Sequence, residues 1–116
     1  MSLDIIFTFL LQAITLFAGV ILLIKIPPIN GVYGYRTRKS SKDEDSWKFA
    51  NKTSALLFII FSIISMAVGS LLLILKYCAN ISIDFIWYMA ISYIVIISLP
   101  IIITEILLGK RQSNRK

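Results

Sequence analysis

Few side chains in this sequence could carry acid–base or ligand chemistry, and most of them lie together. Residues 30–51 read NGVYGYRTRKSSKDEDSWKFAN. Asn30, Gly31, Gly34, Tyr35, Arg36 and Thr37 fall within eight positions, followed by the acidic triplet Asp43, Glu44 and Asp45, then Trp47 and Asn51. One further charged residue, Glu105, stands inside an otherwise apolar stretch. General acid–base catalysis needs two ionisable groups positioned against one another. The candidates are Glu105, Arg36, Tyr35 and the triplet, and none has the spacing of a hydrolase or transferase site. The chain has no histidine and one cysteine, Cys78, which excludes Ser-His-Asp and Cys-His catalysis and the zinc sites built on histidine. Adjacent acidic residues on a helix point in different directions, so the triplet does not converge on a metal. Gly31-x-x-Gly34 lacks the Gly-Lys-Ser/Thr that completes a phosphate loop. The sequence therefore implies no catalytic residue, no cofactor and no metal: it is not expected to be an enzyme.

These residues must be positioned by elements that water rejects. Of 116 residues 58% are hydrophobic, with a mean hydropathy of +0.85, whereas a soluble domain is roughly 45–50% apolar. Residues 5–24 and 54–75 carry no charge, and 85–108 carry only Glu105. At ~1.5 Å per residue each run can cross a hydrocarbon core of ~30 Å. The first run is not preceded by a basic residue, Asp4 is acidic, and no A-x-A site follows, so it reads as a retained helix rather than a signal peptide. The expected architecture is an all-α integral membrane protein, a single membrane domain. Three transmembrane helices lie at about 5–25, 54–75 and 85–108, with a structured cytoplasmic loop at 27–53 and a basic tail at 109–116.

Each of the first two spans carries a stripe of small and polar residues: Thr8, Gln12, Thr15 and Gly19 on the first, Ser54, Phe58, Ser62, Ser65 and Gly69 on the second. Such stripes let helix backbones approach within a bilayer, so these two helices are expected to pack along them. Pro27-Pro28 ends the first helix. Gly31 and Gly34 can form tight turns, with Tyr33 and Tyr35 as rings at the headgroup level. Ser41 and Glu44 match an S-x-x-E capping box, which starts the second helix near residue 42. Trp47 and Phe49 are expected at the membrane surface, with Lys48 and Lys52 reaching for lipid phosphates. Pro100 lies deep in the third helix and is expected to bend it.

The net charge of +6 is unevenly spread. Seven of the 12 basic residues lie in the first connection and four in the tail, while Lys76 alone lies in the second connection. The positive-inside rule then places the loop and C-terminus in the cytoplasm and the N-terminus outside. A tail of this kind attracts anionic lipid more simply than nucleic acid.

The pattern N-G-x-x-G-Y-R-T, followed after an acidic cluster by W-K-x-A-N, resembles the signature of the SdpI immunity-protein family of small bacterial membrane proteins. In this chain it comprises Asn30, Gly31, Gly34, Tyr35, Arg36, Thr37, Trp47 and Asn51, flanked by two apolar helices; Arg38 stands where the family often has proline. The resemblance implies a multi-pass protein of the bacterial cell membrane that confers immunity to a secreted, membrane-active peptide toxin by binding it or shielding its target. It also implies signal transduction through a cytoplasmic transcriptional repressor held at the loop. A small holin-like pore former is the alternative from composition, its serine and threonine stripes lining a channel. Glu105 reads either as a surface carboxylate beside Lys110 or Arg111, or as an inward partner of Arg36 that fastens the loop to the third helix.

Overall fold

The computed structural model describes residues 3–32 and 34–114. Three helices follow one another: α1 Leu3–Ile24, α2 Glu44–Tyr77 and α3 Phe85–Asn114. No strand occurs among the described residues. All three helices are long and apolar enough to cross a membrane, and they form a slender bundle of 57 × 23 × 18 Å. The Tyr33 ring and the tail residues Arg115 and Lys116 fall outside the described residues.

The bundle is apolar outside, and its interior mixes apolar side chains such as Ile5, Phe85, Ile96 and Leu108 with polar ones. Phe17, Ile21, Ile63, Leu71, Ile91 and Ile94 are exposed, while Thr8, Gln12, Ser54, Ser62, Ser92 and Thr104 are buried. Lipid solvates the first set. Helix association in a bilayer depends on close packing and interhelical hydrogen bonds: Gln12 makes such a bond, while Thr8, Ser54 and Ser92 bond carbonyls of their own helix and Ser62 and Thr104 contribute by their small size. Gly19 of the α1 stripe packs against α2 beside its stripe, and Gly69 of the α2 stripe packs against α1 and α3. A Cβ on Gly19 would stand 2.9 Å from the Ile59 side chain and 3.1 Å from the Ala55 carbonyl, so only glycine permits this approach. Gly69 meets Tyr88 and Phe9 in the same way, at 3.1 and 3.3 Å from the nearest atom of each. Gln12 Nε2 donates to the Tyr88 hydroxyl at 3.3 Å, and that hydroxyl donates onward to the Ser65 carbonyl. This chain of bonds joins all three helices near the start of α3. Gln12, Ser54, Ser62 and Gly69 of the two stripes are buried within the bundle, while Thr15, Phe58 and Ser65 are partly exposed.

Two boundaries differ from those read in the sequence. The α2 N-cap is Asp43, whose backbone is extended (φ −156°) and whose carboxylate Oδ1 accepts the Ser46 N–H at 2.7 Å. The Ser41–Glu44 box is not the cap, because residues up to Lys42 belong to a preceding turn: Ser41 N donates to the Thr37 carbonyl and Lys42 N to the Lys39 carbonyl. The acidic side chains Glu44 and Asp45 still occupy the first turn, where the helix dipole favours them. Second, α3 does not stop at 108 but continues through Lys110, Arg111 and Gln112 to Asn114. Pro100 lies inside α3, as read from the sequence, and is buried.

Candidate functional site

Gly34 is the pivot of the loop. Its φ of +105° lies in the region side chains rarely adopt, and a Cβ there would approach within 2.7 Å of Asn51 Oδ1. This tight passage brings the next residue against α2. Tyr35 N–H donates to Asn51 Oδ1 at 2.7 Å, and Asn51 Nδ2 donates back to the Tyr35 carbonyl at 3.3 Å. The Asn51 amide thus pairs with the Tyr35 backbone as a neighbouring strand would. It is itself held by a second bond, Nδ2 to the Trp47 carbonyl at 2.9 Å.

The Tyr35 side chain turns toward α3. Its hydroxyl donates to Glu105 Oε1 at 2.7 Å, with the Ile101 carbonyl at 3.3 Å as a weaker alternative acceptor. Burial first, and then the adjacent Glu105 carboxylate, push the Tyr35 phenol well above its ordinary value. The group therefore remains a donor across the physiological range, and the carboxylate is its natural acceptor.

Trp47 lies one turn before Asn51 and is buried, 1% exposed. Its indole N–H donates to the Pro27 carbonyl at 2.7 Å, which ties the start of the loop to α2. The expectation of a ring lying at the membrane surface is corrected: the indole is a strut inside the protein. Lys48 and Lys52, on the opposite face, are exposed as expected.

The reading of Glu105 is also corrected. Its hydrogen-bond partner is the Tyr35 phenol, not Arg36, Lys110 or Arg111. Arg36 is exposed and its Nη1 donates to the Gly31 carbonyl. Arg111 instead forms a two-pronged contact with Asp45, both N–O distances being 3.0 Å, and lies 4.8 Å from the centre of the Phe49 ring. Both partners of this ion pair are open to solvent.

The remaining signature residues shape the turns. Asn30 Nδ2 donates to the Pro28 carbonyl, and its Oδ1 accepts the Val32 N–H, both at 2.8 Å. Thr37 N–H donates to Ser40 Oγ at 2.7 Å, and Ser40 N–H donates to Thr37 Oγ1 at 3.2 Å. Gly31 is exposed, has no described atom within 4 Å of a notional Cβ, and lacks the positive φ of Gly34; nothing in the structure requires glycine there.

Sequence reasoning missed the parts played by Ser40, Ser46, Asp45, Arg111 and Gln112. Gln112 Nε2 donates both to buried Ser46 Oγ at 2.8 Å and to the Lys39 carbonyl at 2.9 Å. A signal was present: Thr104, Leu108, Arg111 and Gln112 follow at i, i+4, i+7 and i+8, continuing the buried face of α3 into the stretch assigned to the tail.

Two clefts flank this clasp. One, of about 720 Å³, lies where the end of α1 and Pro27-Pro28 face Lys48, Lys52 and Arg111. The other, of about 530 Å³, opens between α1 and α3 beneath residues 34–37.

The model of the SdpI/YfhL protein family matches residues 25–104. A bacterial relative, the "Uncharacterized protein YfhL" of Bacillus subtilis (strain 168), is 48% identical over 54 residues, covering 44% of this chain and 49% of the relative. The match thus spans about half the length of that relative. No solved structure matches. The loop residues, the helix that carries Asn51 and the α3 segment up to Thr104 all lie within the matched range, and the chain belongs to the SdpI/YfhL protein family.

Proposed function

We propose that this chain is an immunity-type membrane protein, protecting its cell from a secreted, membrane-active peptide toxin by binding it within the bilayer or shielding its target. The protein acts by recognition rather than catalysis. Its N-terminus lies outside and its C-terminus in the cytoplasm, the orientation that the basic residues of the loop and tail favour, so the loop presents its cationic surface to a cytoplasmic partner such as a repressor. The observation that supports this most directly is the Tyr35–Glu105 hydrogen bond. It couples the family signature to a membrane helix, so an event among the helices and a change at the loop belong to one mechanical unit.

The experiment is expression in a toxin-sensitive bacterial host challenged with the toxin encoded beside the gene, with membrane levels measured in parallel. Survival should rise with the native chain and fall with Tyr35→Phe at equal membrane level. No gain in survival with the native chain retires the immunity reading.

A further inference from the structure

We propose that the cleft beneath the signature loop holds one acyl chain of an anionic phospholipid, with the lipid phosphate against the Arg36 guanidinium. Its walls are Ile14 and Ala18 of α1 and Ile97 and Ile101 of α3, all exposed, with Phe58 of α2 at the floor and Arg36 at the mouth. The floor is set by Gly19, which brings α1 so close to α2 that a Cβ would collide with Ile59. Among the described residues no glycine draws α1 onto α3 in this way, and the gap between them faces the hydrocarbon.

Dimensions choose the occupant. Along α1 the cleft runs from Ile14 to Leu22, eight residues or about 12 Å, which fits within one leaflet, half of a hydrocarbon core of ~30 Å. A volume of about 530 Å³ over that length leaves a cross-section of roughly 45 Å², against roughly 80 Å² for a helix 10 Å across. An extended chain fits and a helical peptide does not. The volume also lies within the ~300–1,000 Å³ of small-molecule sites.

Charge chooses the headgroup. Arg36 is the one charged residue among those lining the slot, whose other polar groups are Thr15, Tyr35, Thr37 and Ser54, and its Nη1 contact with the Gly31 carbonyl orients the guanidinium. A planar fork with five N–H donors matches phosphate oxygens in pairs. The site belongs to the leaflet on the loop side, and the proposal stands apart from the immunity reading.

The test uses the full chain with Trp87→Phe, leaving Trp47, which sits behind cleft residue Gly34, as the one indole. The protein is reconstituted in phosphatidylcholine carrying bromine-labelled chains on either phosphatidylglycerol or phosphatidylcholine at equal mole fraction. Trp47 quenching should show about a fivefold preference for the anionic lipid, the weight of one surface cation. Arg36→Gln should abolish the preference and Arg36→Lys should keep part of it. Ala18→Phe, at an exposed wall position, should fill the slot and abolish it too. Equal quenching by the two lipids, or a preference that survives both Arg36→Gln and Ala18→Phe, overturns the proposal. In cells, a photo-crosslinking side chain at position 97 should capture phospholipid; capture of a peptide in its place also overturns it.

Discussion

The phenol of Tyr35, in the loop after α1, donates to the carboxylate of Glu105 on α3 at 2.7 Å, across 70 residues of sequence. A hydrogen bond to a charged group is worth about 1.5–3 kcal/mol, and leaving a half-buried carboxylate without its donor costs toward the upper end. Tyr35→Phe should therefore lower stability in detergent by about 2 kcal/mol, read as a shift in the thermal midpoint. Glu105→Ala, added to a chain that already carries Tyr35→Phe, should cost little more. Arg36→Gln should be silent within about 0.5 kcal/mol, and the exchange Arg36→Glu with Glu105→Arg should rescue nothing.

The same pair sets a pH response of defined sign. The phenol is raised in the folded chain, so the folded state retains its proton where the unfolded state, with a pKa of about 10, loses it. The contribution of Tyr35 is full below pH ~10 and is lost as pH rises through the folded value. Alkaline unfolding of the native chain should converge on that of Tyr35→Phe above this point, while the difference between them stays constant from neutrality to pH ~10.

Gly34→Ala should cost about 1–3 kcal/mol from the backbone alone, and more because the new methyl meets Asn51 Oδ1 at 2.7 Å. Gly31→Ala should change stability by less than about 0.5 kcal/mol. Thermal unfolding of the two variants side by side separates a glycine required by geometry from one that is not.

Trp47→Phe keeps most of the buried ring but removes the bond to the Pro27 carbonyl. A loss of about 1 kcal/mol is expected. The local effect should be larger than the global one: limited proteolysis should cut within residues 26–32 faster, while the helices stay protected.

At the end of α3, Leu108 is fully buried, so Leu108→Ala should cost about 2–5 kcal/mol. Arg111→Ala should cost much less, because its pairing with Asp45 is about half exposed and screened by salt. Raising ionic strength should erase the Arg111 effect and leave the Leu108 effect intact.

The three helices and the α1–α2 stripes were legible because both are periodic: apolar length marks a span, and Gly19 and Gly69 recur on the faces that meet. The loop was legible as a unit but not as a circuit. Glu105 stood out as a charge in an apolar run, yet a phenol and a guanidinium are equally good partners until backbone geometry decides. Asp43 and Ser41 are both good caps, and the choice fell to Asp43 because the Thr37–Ser40 turn consumes the residues before it. Trp47 has the composition of an interfacial anchor; its partner, the Pro27 carbonyl, belongs to a main chain whose course the sequence does not state. Arg111 and Gln112 were hidden by their polarity, which reads as a solvated tail although their spacing continues the buried face.

Helix α2 has 34 residues, about 51 Å at 1.5 Å per residue, well beyond a hydrocarbon core of ~30 Å. Its charge-free part begins at residue 54, so ten residues from Glu44 to Thr53 form a stalk about 15 Å tall. Trp47 and Asn51, the two residues that grip the loop, both sit on that stalk. The signature is therefore carried at a height fixed by a rigid rod, and a thicker or thinner bilayer would raise or sink it against the headgroups instead of deforming it. The length of this rod sets the spacing between the apolar span and the loop that Trp47 and Asn51 hold.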